Sequence, residues 1–276
     1  MTYEGYDALT VDVVDGVGTV TIANPPINLF DLNLYSEMAR LSAELAADGD
    51  VRVVVLRSAN PEFFIAHFDV SLILKLPTDL PEPTELNDFH AMCERFRTMP
   101  KATIAVIEGR VGGGGSELTL SCDMRFAALG RAVFNQPEVA LGIIPGGTGT
   151  QRLGRLMGRS RALEAILSCD DVDAALAERW GWVNRALPDG ELWPFVERLS
   201  RRIASFPPHA VAAAKASVLL AEKGVESDLL TEGALFNGTL KEPAARRAME
   251  HFLAGGGQTR EGELRLGSLI EELGTG

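Results

Sequence analysis

The feature that most narrows the fold of this chain is an alternation of apolar, β-branched runs with segments of helical periodicity. "VRVVVL" (51–56) reads as a strand buried on both faces, and "TIAVI" (103–107) reads the same way. Leu34, Met38, Leu41 and Leu45 recur at helical spacing before the first run, with Gly49 where a helix would stop. Phe89, Met92, Cys93 and Phe96 form a second helical stripe before the other run. Strand and helix in turn predict β-α-β units and a largely parallel sheet.

Other segments fit around this core. "ALTVDVVDGVGTVTIA" (8–23) alternates on either side of Asp15-Gly16, a dipeptide suited to a tight hairpin. "PTDLPEPTE" (77–85) is a Pro-rich loop, better suited to an adaptable flap than to a domain linker. Beyond residue 145 the pattern is almost wholly helical, from "TGTQRLGRLMG" through "DVDAALAERWG" to "EPAARRAMEHFL", with "VNRAL" (183–187) as a short strand. The expected organisation is an α/β core over 1–200 and a helical region over 201–276. Helices this apolar need a partner surface, which predicts oligomerisation.

The chain has 276 residues, 46% of them hydrophobic, enough for a sizeable core without covalent staples. Cys93, Cys122 and Cys169 are odd in number and form no CxxC pair, so they read as reduced, buried thiols. A formal charge of -12 opposes binding to nucleic acid or anionic lipid, which needs a basic footprint. Acidic residues interrupt the first thirty positions as they would no signal peptide, and no run has the length of a membrane span. The expectation is a soluble, cytoplasmic protein.

"EGRVGGGGSELTLSCD" (108–123) sets four glycines before Ser116 and Glu117. It lacks the Gly-Lys-Ser/Thr ending of a phosphate loop and the third glycine of a dinucleotide fingerprint. The apolar run after Ser116 predicts a helix starting there, whose free N–H groups suit a developing oxyanion. By themselves the residues leave that reading and a tight structural turn equally open. In "FNQPEVALGIIPGGTGTQRL" (134–153), Glu138 is a second carboxylate. Two glutamates at one oxyanion site suit the handling of a water and its protons; apart, each reads as a surface or salt-bridged residue. In "NPEFFIAHFDVSLI" (60–73), Asp69 suits a helix cap and His67 is a lone candidate base. The histidines show no metal-ligand spacing, and no HExxH or Ser-His-Asp pattern stands out.

In order and spacing, "NPPINLFDLNL", "VRVVVLRS", "FFIAHFDV", "IAVIEGRVGGGGSELTLSCDMRFAA", "FNQPEVALGIIPGGTGTQRLGRLMG" and "ERWGWVNRALP" resemble the enoyl-CoA hydratase/isomerase (crotonase) superfamily over nearly the whole chain. The resemblance implies an α/β spiral of β-β-α units with a helical C-terminal trimerisation region, giving a homotrimer or a homohexamer built from two trimers. It implies an oxyanion hole from the N–H groups of Phe68 and Gly114, acid/base roles for Glu117 and Glu138, and substrate-binding positions at Ala66, His67, Asp69, Ile27 and Gly113. The implied reaction adds water across the 2,3 double bond of a 2-enoyl thioester such as an acyl-CoA, with no metal or other cofactor. The alternatives are another enolate-forming reaction of the superfamily (isomerisation, decarboxylation or carbon-carbon hydrolysis) on a CoA, carrier-protein or free carbonyl substrate, and a non-catalytic or RNA-binding relative.

The chain also departs from the family pattern. Ala66-His67-Phe68-Asp69 replaces the usual Ala-Gly-Ala-Asp, and Ile27 and Ser71 stand where basic residues near the CoA phosphates are common. Lys75, Lys241, Arg246, Arg247 and Arg260 are the candidate replacements. "SCDDVDA" (168–174) replaces a glycine-and-basic turn, and Arg110 stands where an aromatic is common, with no function assigned to it from sequence.

Overall fold

A computed structural model describes residues 2–79, 82–222 and 224–274. Ten strands form two sheets. The larger contains β1 (Leu9–Val14), β2 (Val17–Ile22), β3 (Val53–Ser58), β5 (Ala102–Ile107), β7 (Met124–Ala128) and β10 (Arg185–Leu187), in the order β1-β2-β3-β5-β7-β10. The smaller contains β4 (Phe63–Ile65), β6 (Arg110–Gly112), β8 (Val133–Asn135) and β9 (Val172–Asp173), in the order β4-β6-β8-β9. Strands β3 and β4, β5 and β6, and β7 and β8 thus alternate between the sheets, so each turn of the chain adds one strand to each. That is the spiral of β-β-α units the sequence implies.

The hairpin β1–β2 is antiparallel, and both turn residues, Asp15 and Gly16, have positive φ (53° and 78°) as such a turn requires. From β2 to β10 the larger sheet is parallel. Its central strands are buried on both faces. Val53, Val55, Ile104, Val106, Phe126 and Ala128 pack on one side with Leu192 and Val196 of the helix Asp189–Ala204. Val54, Leu56, Ala105, Ile107 and Ala127 face the other cluster, shared with Leu34, Met38 and Leu41 of the helix Leu32–Ala47. Full burial of each such side chain contributes about 1.5–3 kcal/mol, so these strands anchor the spiral.

Local chemistry fixes the helix starts. Asp31, Asn87 and Asp173 each cap a helix by accepting from the N–H of Leu34, His90 and Leu176, and Asp69 caps Val70–Ile73 by accepting from Ser71 N. Two elements differ from expectation. The helix predicted from Ser116 runs Gly113–Leu120, so three of the four glycines lie inside it. The segment "DVDAALAERWG" opens with β9 before its helix Ala174–Trp180, because Phe134 and Val133 of β8 offer an open edge for pairing.

Arg110 and "SCDDVDA" turn out to be one device. Both terminal nitrogens of Arg110 donate to the Asp171 carboxylate at 2.6 Å, and Asn135 Nδ2 adds a bond to Asp171 Oδ1 at 3.2 Å. The pair ties the middle of the smaller sheet to the turn before β9.

After β10 the described chain is helical, and it folds back over the spiral. Leu240, Ala245, Met249, Phe252 and Leu269 pack on Val70, Leu141 and Ile143. No described helix is long and apolar enough to cross a membrane.

Candidate active site

Three adjacent parallel strands of the smaller sheet deliver the candidate residues. Strands β4, β6 and β8 lie side by side, with Ile65 opposite Val111, and Gly112 opposite Asn135. At their carboxyl ends follow, respectively, Ala66–Asp69, the helix Gly113–Leu120 carrying Glu117, and Gln136-Pro137-Glu138. Carboxyl ends of neighbouring parallel strands are where α/β folds present chemistry.

Gly113 has φ +44°, and a Cβ there would sit 2.8 Å from Glu138 Oε1 and 3.1 Å from His67 Cβ. Any larger residue would collide with two of the site's side chains in a backbone conformation that already disfavours it. A Cβ on Gly114 would lie 3.1 Å from Phe68 Cβ, so the loop after β4 and the helix start are in contact. Gly113, Gly114 and Gly115 are the first helical residues, and their cap, Gly112, offers no side chain, so their N–H groups lack intrahelical partners. The Phe68 segment pairs with Phe30 as a parallel bridge, through Phe30 N to His67 O (2.9 Å) and Asp69 N to Phe30 O (3.2 Å). Because extended backbone alternates its polar groups, this directs the Phe68 N–H away from Phe30.

Glu117 and Glu138 are both buried. Glu117 Oε1 accepts from the N–H groups of Gly147 and Gly149, each at 2.8 Å. Burial raises the Glu117 pKa, the Glu232 carboxylate raises it further, and the two amides and Arg152 work in the opposite direction. Glu138 is raised well above the ordinary carboxylate value, by burial first and then by the charge of Glu117. The two titrate as a pair, and Glu117, with its two amide donors, is the more readily ionised member. Glu138 Oε2 and both side-chain polar atoms of Gln136 are buried without a hydrogen-bond partner in the protein. Unsatisfied polar atoms at such a density mark a place built to meet a polar reactant.

His67 is buried, with Nδ1 2.8 Å from Phe68 O and Nε2 3.0 Å from Glu263 Oε1. Both ring nitrogens face acceptors, so the ring is an imidazolium donating to each. Burial opposes this charge, but the attraction and hydrogen bond of Glu263 outweigh it and the pKa of His67 is raised. Asp69 is held by Ser71 N and by Gln258 Nε2 (both 2.8 Å). Ile27 is buried beside Phe63 and Ala66, and its carbonyl accepts from Ala66 N at 3.2 Å. Of the basic residues considered for phosphates, Arg260 is engaged with Glu62 and Arg246 with Glu250, while Lys75, Lys241 and Arg247 are exposed. Four aromatic rings, Phe30, Tyr35, Phe68 and Phe89, pack with centroids 5.6–6.1 Å apart. Phe89 lines the site, since a Cβ on Gly147 would meet both its ring and Glu117 Oε2 at 2.5 Å.

The structure thus draws Phe68, Gly113, Gly114, Glu117 and Glu138 to one place. Glu232, Glu263, Phe89 and Gln136 also belong to this neighbourhood; Phe89 showed in the sequence only as part of a helical stripe, and the other three carried no signal there. The two glutamates look like surface positions of amphipathic helices, and only the C-terminal fold-back makes them interior.

A two-sheet spiral carrying buried carboxylates at the ends of its smaller sheet defines a crotonase-fold enzyme. The chain belongs to the enoyl-CoA hydratase/isomerase family, whose profile matches residues 12–255. It is 32% identical over 251 residues to a probable enoyl-CoA hydratase of Mycobacterium leprae, covering 90% of this chain and 95% of that one. It is 33% identical over 220 residues to the short-chain-enoyl-CoA hydratase of Clostridium acetobutylicum, covering 78% of this chain and 81% of that one. Among solved structures, it is similar to a Streptomyces avermitilis protein provisionally designated an enoyl-CoA hydratase, with a TM-score of 0.90, 38% identity, and coverage of 99% and 100% of the two chains.

Proposed function

We propose that the protein hydrates the 2,3 double bond of a 2-enoyl-CoA thioester. The observation that carries this reading is the pair of buried carboxylates, Glu117 and Glu138, set beside the free N–H groups of the Gly113–Leu120 helix. The Phe68 and Gly114 N–H groups receive the thioester oxygen and stabilise the enolate-like charge that develops on it. Each such donor is worth about 2.7–4 kcal/mol in comparable oxyanion sites.

Glu117 and Glu138 hold the water between them. The ionised Glu117, fixed through Oε1, takes a proton from the water as its oxygen bonds to C3. Glu138 gives its proton to C2, and the product is a 3-hydroxyacyl thioester. Proton exchange with solvent then returns Glu117 to the ionised form and Glu138 to the protonated one. No step of this sequence calls for a metal or redox group.

Of the five cations considered for CoA phosphates, Lys75, Lys241 and Arg247 are exposed and can serve them. We further propose a homotrimer or a hexamer of two trimers assembled through the helical region 201–276. Exposed Val218 and Leu235 on its helices, and Leu220 just after one of them, support that, and light scattering tests it.

Crotonyl-CoA tests the activity. Loss of the absorbance of its conjugated double bond is expected with the native protein and not with Glu117→Gln or Glu138→Gln. Unchanged absorbance with a series of 2-enoyl-CoA thioesters overturns the reaction, and full activity in both variants overturns the residues.

A further inference from the structure

A third buried carboxylate, Glu232, stands on the helix Val225–Leu240 and is 1% exposed. It touches none of the substrate-facing groups above. Apart from His90, its partners lie on the segment that holds Glu117. Glu232 Oε2 accepts from Thr148 N at 2.8 Å and from His90 Nε2 at 3.3 Å. Its Oε1 accepts from Thr150 Oγ1 and from Gln151 N at 3.2 Å.

The two carboxylates therefore interleave along one stretch of backbone. Amides 147 and 149 go to Glu117, while amides 148 and 151 go to Glu232. The Thr148 N–H thus points away from those of its two neighbours, and the backbone at Thr148 is sharply turned, with φ +116°. A threonine disfavours that region strongly. What holds it is visible: its N–H is gripped by Glu232, and its Oγ1 donates to Glu117 O at 3.4 Å. Without Glu232, Thr148 loses the anchor for its strained conformation, and the Gly147 and Gly149 amides lose their aim.

We infer that Glu232 is a positioning residue for Glu117, holding the 147–149 turn so that two amides converge on Glu117 Oε1 and placing a fixed negative charge behind that carboxylate. The inference rests on the proposed role of Glu117 as the base. The charged and titratable groups facing Glu117 are Glu232 and Arg152 from the C-terminal side, Glu138 across the site, and Cys93 from the helix Asp88–Thr98. Arg152 is itself paired with Glu94 at 2.7 Å, and His90 faces Glu232. Of the nearby charges, Glu232 acts most strongly on Glu117, and it raises the proton affinity of that group.

The test is a titration of the glutamate side chains by carbon-13 NMR in the intact protein, with Glu117→Gln identifying the Glu117 signal. This readout does not depend on any substrate, so it stays informative even if the hydratase reaction is refuted. In Glu232→Gln, loss of the charge lowers the Glu117 midpoint by roughly one pH unit, the usual scale for a nearby like charge. Glu232→Asp keeps the charge but shortens the reach to Thr148, so the Gly147 and Gly149 amides lose their aim and the Glu117 midpoint rises instead; it also serves if the Gln variant fails to fold. With crotonyl-CoA as probe, the acid limb of the kcat profile moves in the same direction while KM stays within about two-fold, the signature of a group acting through another. A Glu117 midpoint that stays in place in both variants, even with a lowered melting temperature, overturns the inference and leaves Glu232 as a helix cap alone.

Discussion

Removing either member of the His67–Glu263 pair should loosen the oxyanion loop and cost more than any surface ion pair would. The side chains are 5% and 0% exposed, their heavy atoms are 3.0 Å apart, and Glu263 Oε1 also accepts from Gln258 N at 2.7 Å. Gln258 in turn receives Val70 N at 3.0 Å and donates to Asp69, so the C-terminal segment is strapped to the loop carrying Phe68. Breaking a buried pair by deleting one partner costs about 3–5 kcal/mol. For a chain of this size, Glu263→Ala should therefore lower the melting temperature by about 5–9 °C. Removing both charges together leaves no stranded ion, so His67→Gln/Glu263→Gln should be less destabilised than the sum of its single variants, with coupling of about 1–3 kcal/mol in a denaturant cycle. The pH dependence has a defined sign. His67 is raised from 6.5, so its contribution is whole below 6.5 and fades as pH rises through the folded value. Glu263 is lowered from 4.5, so its contribution is whole above 4.5 and fades as pH falls through the folded value. The coupling should be largest between those two pH values. Additive single variants, or coupling that grows above neutral pH, would refute the charged pair.

Three further outcomes follow from the site. Gly113→Ala places a methyl group 2.8 Å from Glu138 Oε1 at a positive φ; kcat should fall steeply and stability by about 1–2 kcal/mol, measured by steady-state kinetics and denaturant unfolding. The pH profile of kcat should be bell-shaped, with its acid limb above the ordinary carboxylate value because the Glu117 pKa is raised, and its alkaline limb set by deprotonation of Glu138. Phe89→Ala opens the aromatic wall beside Gly147, and kcat/KM should shift toward longer or aromatic acyl groups in a competition between enoyl thioesters.

The long apolar runs of β3 and β5 made the parallel sheet legible, since burial on both faces leaves a continuous hydrophobic signal. Strands β4, β6 and β8 have three residues each, too few to show any period, yet these are the strands that aim the site. The helix start at Gly113 was hidden for a related reason. Glycine is a poor helix former by propensity, and only the approach of Phe68, His67 and Ile65 to the helix explains why side chains are excluded there. Glu117 and Glu138 could be singled out because they stand in distinctive stretches whose order matches a family pattern. Glu232 and Glu263 could not, because their burial depends on where helices some 80 to 200 residues away in the chain finally pack. His67 stood out as a lone histidine and, by the resemblance, as a substrate-binding position, but its charge comes from a partner 196 residues away.

Incubation with crotonyl-CoA in heavy-oxygen, deuterated water reads both halves of a hydration by Glu117 and Glu138 in one mass spectrum. The expected product carries oxygen-18 in the new hydroxyl at C3 and a single deuteron at C2, with formation slowed about 10²–10⁴-fold in Glu117→Gln and in Glu138→Gln. Recovery of unlabelled thioester from the native protein, or equal labelling by both variants at the native rate, would contradict it.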